Sequence, residues 1–225
     1  MAVKPEFEDK LADGYHSLML SYAAGRLNQA ENLIVSAHIS MSEKGRRVLA
    51  RYESICGSLL ENECDPAPMS DDSMQNLMSL IDSQTQETPK ISRSEFFENL
   101  DVPMCLHGTL SEQKKRPRWS SVMPGLDCYI VEIECKKNKI EFLRAEPALV
   151  TPTHEHDGME ITLVLDGAYI DETGKYEVGD LFVLDEDVQH APSACPELGC
   201  VCMVVSTVSR KNNPISRLLG LLLGK

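Results

Sequence analysis

With 225 residues, of which 42 % are hydrophobic, the chain can hold one large domain or two small ones with a true apolar core. The formal net charge of −13, from 35 acidic and 22 basic residues, argues against non-specific nucleic-acid binding, which needs clustered Lys and Arg. There is no apolar run of the roughly 18 residues that a spanning helix needs, and no signal-peptide pattern, so we expect no membrane contact and a cytoplasmic location.

Residues 1–85 are predicted to form a small helical domain. Leu11, Tyr15, Leu18 and Tyr22 recur at helical spacing in the first helix. A turn at 25–28 precedes a second helix from Gln29 to His38, and a third follows from Glu43 to Leu60. A fourth helix opens at residues 70–73, where acidic residues suit the positive end of the helix dipole.

The rest of the chain differs from the helical part in composition and in hydrophobic pattern. Residues 86–103 are polar and contain Pro89 and Pro103, which predicts a linker. Residues 104–209 hold short apolar runs at 128–135, 139–144, 161–165, 181–184 and 201–205. Turn signals at Asp166-Gly167, Thr173-Gly174 and Gly179-Asp180 separate several of them, which predicts an all-β sandwich or barrel. Residues 210–225 are predicted to be a short apolar helix docked on this barrel, with self-association into a homo-oligomer as the alternative.

Three metal-binding side chains lie close together in this β region: His154, His156 and Glu160. All three have even numbers, and side chains alternate faces along a strand, so a strand would present them on one side. The opposite face would carry Met159, Ile161, Leu163 and Leu165 as packing surface. Two imidazoles and a carboxylate on one face are ligands for Zn, Fe, Mn or Ni.

The spacing His-x-His-x-x-x-Glu, followed by Gly167, resembles the first cupin motif, and Gly179 followed by His190 resembles the second. Cupins are double-stranded β-helices, also called jelly rolls. The resemblance implies that one divalent metal is bound by His154, His156, Glu160 and His190. Four protein ligands favour a structural or regulatory zinc, with Fe, Mn and Ni as alternatives, and an open fifth position would permit chemistry on bound water or dioxygen.

Some motif positions depart from the cupin pattern. Ala148 stands where the first motif has a glycine. The Pro, Gly and Asn positions of the second motif are Asp185, Asp187 and Ala194. These changes affect turns more than ligands.

The segments 22–27, 36–40 and 57–61 of the helical part resemble the N-terminal domain of ChrR-type zinc anti-sigma factors. That family joins a helical anti-sigma domain to a cupin domain, and its C-terminal pattern recurs at 160–175, 179–180 and 200–202. The resemblance implies a multidomain α + β protein, with a small helical domain before an all-β cupin. It also implies a negative regulator of transcription that binds an extracytoplasmic-function-type sigma factor and senses stress through the cupin metal.

One departure from this family concerns its helical zinc site. The family carries His-x-x-x-Cys-x-x-Cys with an upstream His; here His38 is kept, but Ser42 and Gly45 replace the cysteines. The upstream position is Asp13, with His16 one turn further on. Because neither Ser nor Gly can replace a thiolate ligand, we expect no zinc in the helical domain. His38 is expected to be a helix-terminal or packing residue, with the helices held by their apolar faces alone.

Three interpretations remain open. The main alternative to a regulator is a metal-dependent cupin enzyme, dioxygenase-like, with Thr162, Arg144 or Tyr129 lining its pocket. A third reading is a small-molecule-binding cupin that has lost its partner.

The eight cysteines are expected to be free thiols. Cys200 and Cys202 share one face of a strand, either as buried packing residues or as thiols near the metal that are open to oxidation.

Overall fold

The computed structural model describes residues 5–83, 100–113, 118–134, 137–154, 158–185 and 188–207. His156, most of the predicted linker and the predicted C-terminal helix at 210–225 lie outside these ranges. No helix in the described ranges is both long and apolar enough to cross a membrane.

The N-terminal part is helical, as predicted. The helices are α1 (Pro5–Ala23), α2 (Gln29–Met41), α3 (Glu43–Glu63), α4 (Ser73–Ser83) and α5 (Met104–Ser111). The start of α2 follows from capping: the Asn28 side chain accepts from the backbone N–H groups of Ala30 and Glu31 in a capping box. Helix α5 was not predicted from the sequence, and its Leu106 and Leu110 are buried in the same core as α2.

The C-terminal part is an antiparallel β domain. Its strands are β1 (Ser120–Met123), β2 (Leu126–Val131), β3 (Asn138–Ala145), β4 (Glu160–Asp171), β5 (Gly174–Glu177), β6 (Leu181–Leu184), β7 (Ser193–Ala194) and β8 (Cys200–Thr207). Strands pair in the order β1-β2-β3-β8-β4-β5, and β4 also pairs with β6 and β7. The predicted helical domain followed by an all-β domain is confirmed.

The prediction of a turn at Asp166-Gly167 is wrong, because β4 continues through these residues. The register with β8 shifts between Val164 and Asp166, which is a β-bulge. Gly167 has φ 69°, and a Cβ there would lie 2.1 Å from the carbonyl oxygen of Gly199. A bulge that needs glycine has the same local signature as a turn, which explains the error.

Helices α1 and α2 pack against the outer face of the sheet. On β4, Ile161, Leu163 and Leu165 are buried in one cluster with Ile34 and Val35 of α2. The other face of β4 begins with Glu160 and Thr162, which line an interior cavity. The strand that carries Glu160 therefore lies between the cavity and the helical domain.

Candidate metal centre

His154 and His190 are brought together by an isolated antiparallel bridge. The His154 N–H donates to the His190 carbonyl at 3.0 Å, and the His190 N–H donates back at 3.1 Å. The two imidazole Nε2 atoms then lie 3.1 Å apart. His154 and His190 are far apart in the sequence, yet each directs its Nε2 atom toward the other.

The prediction that a single strand carries both His154 and Glu160 is wrong. β4 begins only at Glu160, and Gly158 before it has φ 150°, so His154 is not part of that strand. Both side chains nevertheless line the same cavity, together with His190. In the described part of the chain, no three His, Cys, Asp or Glu side chains complete a metal-binding group. Since His156 lies outside that part, the four-residue set stays a prediction.

A hydrogen bond at Nδ1 of His154, the ring nitrogen that does not face His190, fixes the tautomer of this imidazole. Nδ1 lies 2.9 Å from the carbonyl oxygen of Pro152. A carbonyl can only accept, so Nδ1 carries the proton. In the neutral ring, Nε2 therefore presents a lone pair to His190.

His190 is oriented in the same way by Tyr169 and Asp171. Its Nδ1 lies 2.9 Å from the Tyr169 hydroxyl and 3.4 Å from Asp171 Oδ2. Burial raises the pKa of the Asp171 carboxyl, but hydrogen bonds from His190 and Thr173 outweigh it and hold the pKa below its usual range. An ionised carboxylate at Nδ1 keeps the proton there and leaves Nε2 as a lone pair, which is the usual outer support of a metal-binding histidine.

Two lone pairs facing each other at 3.1 Å fit a shared cation. For metal–nitrogen bonds of about 2.0–2.1 Å, two neighbouring ligands at tetrahedral to right angles are about 2.9–3.4 Å apart. Without a proton or a cation between them, the two nitrogens would repel. The donor set therefore fits a first-row transition metal.

Glu160 adds a carboxylate to this wall of the cavity. Although part of the residue reaches solvent, its carboxyl group is surrounded by protein, and this burial raises its pKa, while its electrostatic interaction with the neighbouring His190 and His154 acts in the opposite direction. Thr162 Oγ1 donates to Glu160 Oε1 at 3.5 Å. A cation beside the imidazoles would favour the ionised form of Glu160.

The cavity behind these groups has a volume of about 130 Å³ and a largely aliphatic wall. Its apolar lining includes Val122, Leu126, Leu143, Ala145, Leu149 and Val204. Thr162 lines it, as the enzyme interpretation expected. Arg144 and Tyr129 do not: Arg144 bonds Asp127 at 2.7 Å on the other side of β3, and Tyr129 is buried in the core beneath the helices.

Tyr169 and Asp171 are the site residues that the sequence analysis missed. Before the bulge in β4, even-numbered residues such as Glu160 face the cavity. The extra residue at the bulge changes this parity, so the odd-numbered Tyr169 and Asp171 reach His190. Simple alternation along the strand assigns both of them to the wrong face.

Cys200 and Cys202 lie on one face of β8, as predicted, and they line the same cavity. Both are buried, and their Sγ atoms lie 3.3 Å apart as free thiols. The hydrogen bond with Cys200, together with burial, raises the pKa of the Cys202 thiol well above its usual range. Both cysteines thus lie within the wall that holds the candidate ligands, and the Cys202 thiol is held in its protonated form.

In the helical domain, the residues at the positions of the family's zinc ligands have packing and capping roles. His38 is 3 % exposed and hydrogen-bonded, which agrees with a packing role. The Ser42 hydroxyl caps α3 by accepting from Gly45 N–H at 3.1 Å. A Cβ at residue 45 would lie 2.5 Å from His38 Nε2. The prediction that apolar faces alone hold the helices is wrong, since Tyr22 also bonds Ser36 at 3.0 Å.

A helical domain packed on an antiparallel β domain, with paired histidines and a glutamate around an interior cavity, defines a cupin with an N-terminal helical module. Residues 110–209 match the model of the ChrR cupin-like domain family. The chain is 28 % identical over 197 residues to the anti-sigma-E factor ChrR of Cereibacter sphaeroides, covering 88 % of this chain and 90 % of that protein.

A solved structure agrees with this assignment. The fold matches a chain in the crystal structure of Rhodobacter sphaeroides SigE in complex with the anti-sigma ChrR, with a TM-score of 0.65 and 26 % identity. The match covers 85 % of this chain and 96 % of that chain. The predicted resemblance to ChrR-type proteins is confirmed.

Proposed function

We propose that this protein is an anti-sigma factor, a negative regulator of transcription that binds an extracytoplasmic-function-type sigma factor through its N-terminal helices. Similarity to the anti-sigma factor ChrR runs along most of the chain and includes the helical domain. A sigma-factor partner would place the protein in the cytoplasm.

The observation that carries this proposal is the exposed apolar face of α4. Met74, Leu77, Met78 and Ile81 recur at helical spacing, and each is at least half exposed. None of the residues of α4 is buried, and the described residues leave its apolar stripe accessible. Such a stripe is typical of a helix that docks into the groove of a partner.

The end of α3 carries further exposed apolar side chains. Ile55, Leu59 and Leu60 are all more than half exposed. Exposed apolar side chains in this number mark an interaction surface on a protein of this charge. The net charge of −13 also suits the basic, DNA-facing surface of a sigma factor.

A binding assay with the sigma factor encoded beside this gene tests the proposal. We expect a stable one-to-one complex at micromolar concentration, and loss of sigma-dependent transcripts in a reconstituted transcription reaction. An absence of binding at micromolar concentration, with both proteins folded, would reject the proposal.

We also propose that the cupin domain binds one divalent metal through His154, His156, Glu160 and His190, with zinc favoured and Fe, Mn or Ni as alternatives. The facing Nε2 atoms and the two Nδ1 hydrogen bonds support this. When bound, the metal supplies a cationic centre able to accept a further ligand from the cavity. Elemental analysis of the purified protein should find about one metal per chain, and none after replacement of His154 and His190 by Gln.

The cavity of about 130 Å³ favours a second candidate function, a metal-dependent cupin enzyme acting on a small molecule. Its volume is close to that of a cavity that admits benzene, about 150 Å³. Stoichiometric iron and oxygen consumption would support the enzyme. Stoichiometric zinc without oxygen consumption would support the regulator.

A further inference from the structure

His38 connects the helical domain to the cupin domain through two hydrogen bonds. Its Nδ1 lies 2.8 Å from the carbonyl oxygen of Gly179, in the turn before β6. Its Nε2 lies 3.0 Å from the hydroxyl of Tyr15 on α1. Because the carbonyl can only accept, Nδ1 is the donor, and in the neutral ring Nε2 accepts from Tyr15. Burial lowers the pKa of His38, which favours that neutral ring.

The surroundings of His38 allow little movement of the imidazole. A Cβ at Gly45 would lie 2.5 Å from Nε2 and 2.9 Å from Cδ2, so α3 passes directly against the ring. The Tyr15 ring meets it edge-on, with centroids 5.6 Å apart. The ring is therefore held between three helices and the Gly179 turn in one orientation.

On the cupin side, the Gly179 turn is hydrogen-bonded to β4. Gly179 N–H donates to the Val164 carbonyl at 2.9 Å, and Val164 N–H donates to the Asp180 carbonyl at 3.0 Å. Val164 pairs with Cys202 of β8 and lies on the strand that begins with Glu160. A continuous set of hydrogen bonds thus leads from the metal-binding strand to α2.

We propose that His38 is the contact through which the state of the metal-binding strand β4 is transmitted to the helical domain. A ligand or metal that orders β4 also orders the Gly179 turn. The hydrogen bond between Gly179 and His38 then extends this ordering to α2. The consequence for sigma-factor release rests on the proposed function. The coupling between β4 and α2 is a property of this chain alone and can be measured without a partner.

Hydrogen exchange of the full chain, with zinc and with a chelator, tests the coupling. In the wild-type protein, we expect zinc to slow exchange in β4 and, by about fivefold, in α2, the factor that corresponds to one net hydrogen bond. If zinc slows exchange in β4 but leaves α2 unchanged, the coupling is rejected while the metal site stands. If zinc has no effect anywhere, both are rejected.

Two substitutions separate the two hydrogen bonds of His38. Asn places its amide near the position of Nδ1 and can keep the bond to Gly179, whereas Gln places it near Nε2 and can keep the bond to Tyr15. We expect His38→Asn to retain the zinc effect on α2 and His38→Gln to lose it. His16→Gln on α1 is the matched control, since His16 is exposed and bonds Tyr52 at 3.1 Å.

A merely structural role would give a different result. Both His38 variants would then be less stable than the wild type, but zinc would protect α2 equally in each, which overturns the proposal. Should His38→Gln not fold, a wild-type protein in which zinc slows exchange in β4 but not in α2 still rejects the proposal. Sigma-factor affinity, measured separately with and without zinc, is expected to depend on zinc in the wild type and in His38→Asn only.

Discussion

The Nε2 atoms of His154 and His190 lie 3.1 Å apart, although 36 positions separate the two residues in the chain. A backbone bridge between the same two residues sets their separation. Pro152 and Asp171 set the direction of the rings by holding the Nδ1 protons. The pair therefore has an arrangement that fits a shared cation.

The first prediction concerns Asp171, which orients His190 without itself being a candidate ligand. Replacing Asp171 by Asn removes the charge that holds the Nδ1 proton, and we expect zinc affinity to fall about 10–100-fold. Competition with a chromogenic chelator measures this. Asp127→Asn, which loses a half-exposed pair with Arg144, serves as the control and should bind zinc normally. Equal affinities in the two variants would contradict the assigned role of Asp171.

The second prediction is a pH dependence of stability at the same residue. The pKa of Asp171 is lower in the folded protein than its ordinary value of about 3.9. Its ionised form thus stabilises the fold above that ordinary pKa, and this contribution is lost as the pH falls through the folded-state pKa. In chelator, the free energy of unfolding of the wild type should exceed that of Asp171→Asn at pH 7, and the difference should shrink at acidic pH. A difference that grows on acidification would contradict this.

The architecture could be predicted from local patterns. Helical spacing identified α1 to α4 because each carries apolar residues at intervals of three and four. The run Leu181–Leu184 was predicted with the observed bounds. Helix α5 was missed because it is only eight residues long and follows the polar, Pro-containing segment assigned as a linker.

The site was only partly predictable, for a reason of geometry. His154, Glu160 and His190, which line one cavity, were chosen as candidates because motif spacing identifies residue types. Tyr169 and Asp171 were missed because a bulge changes which side of β4 faces the cavity. Ala148, where the cupin motif has a glycine, has φ 61°, so the backbone keeps the conformation that glycine favours although the residue has changed.

The third prediction compares two glycines of α3. At Gly45, an added methyl group would lie 2.5 Å from His38 Nε2, so Gly45→Ala should destabilise the fold by about 1–3 kcal/mol. Gly57 has no neighbour within 4 Å of a built Cβ, so Gly57→Ala should stabilise it by about 0.5–1 kcal/mol. Urea denaturation measures both. If the two variants shift stability in the same direction, the tight contact between α3 and His38 is not present.

The fourth prediction concerns thiol reactivity. Cys64 is exposed, whereas Cys128, Cys200 and Cys202 are buried. Burial and the neighbouring Glu141 raise the pKa of Cys128 to about 12, so at pH 8 only about one molecule in 10⁴ carries its thiolate. We expect iodoacetamide to modify Cys64 in the folded protein and the three buried thiols only after denaturation, as read by peptide mass spectrometry. Early modification of Cys200 or Cys202 would instead favour their role as accessible, oxidisable thiols.

The last prediction tests the α4 surface directly. Leu77 is 53 % exposed within the stripe formed by Met74, Met78 and Ile81. Leu77→Glu should leave thermal stability within about 0.5 kcal/mol of the wild type, because exposed surface positions tolerate substitution. It should weaken sigma-factor binding at least about tenfold, the effect of burying an unpaired charge at the centre of an interface.

Leu198→Glu is the matched control for this substitution. Leu198 is 73 % exposed, but it lies in the loop before β8, in the cupin domain, so its replacement introduces the same charge away from α4. Its complex with the sigma factor should have wild-type affinity by calorimetry. If Leu77→Glu binds as tightly as this control, α4 is not the docking helix, and the apolar residues at the end of α3 become the surface to test.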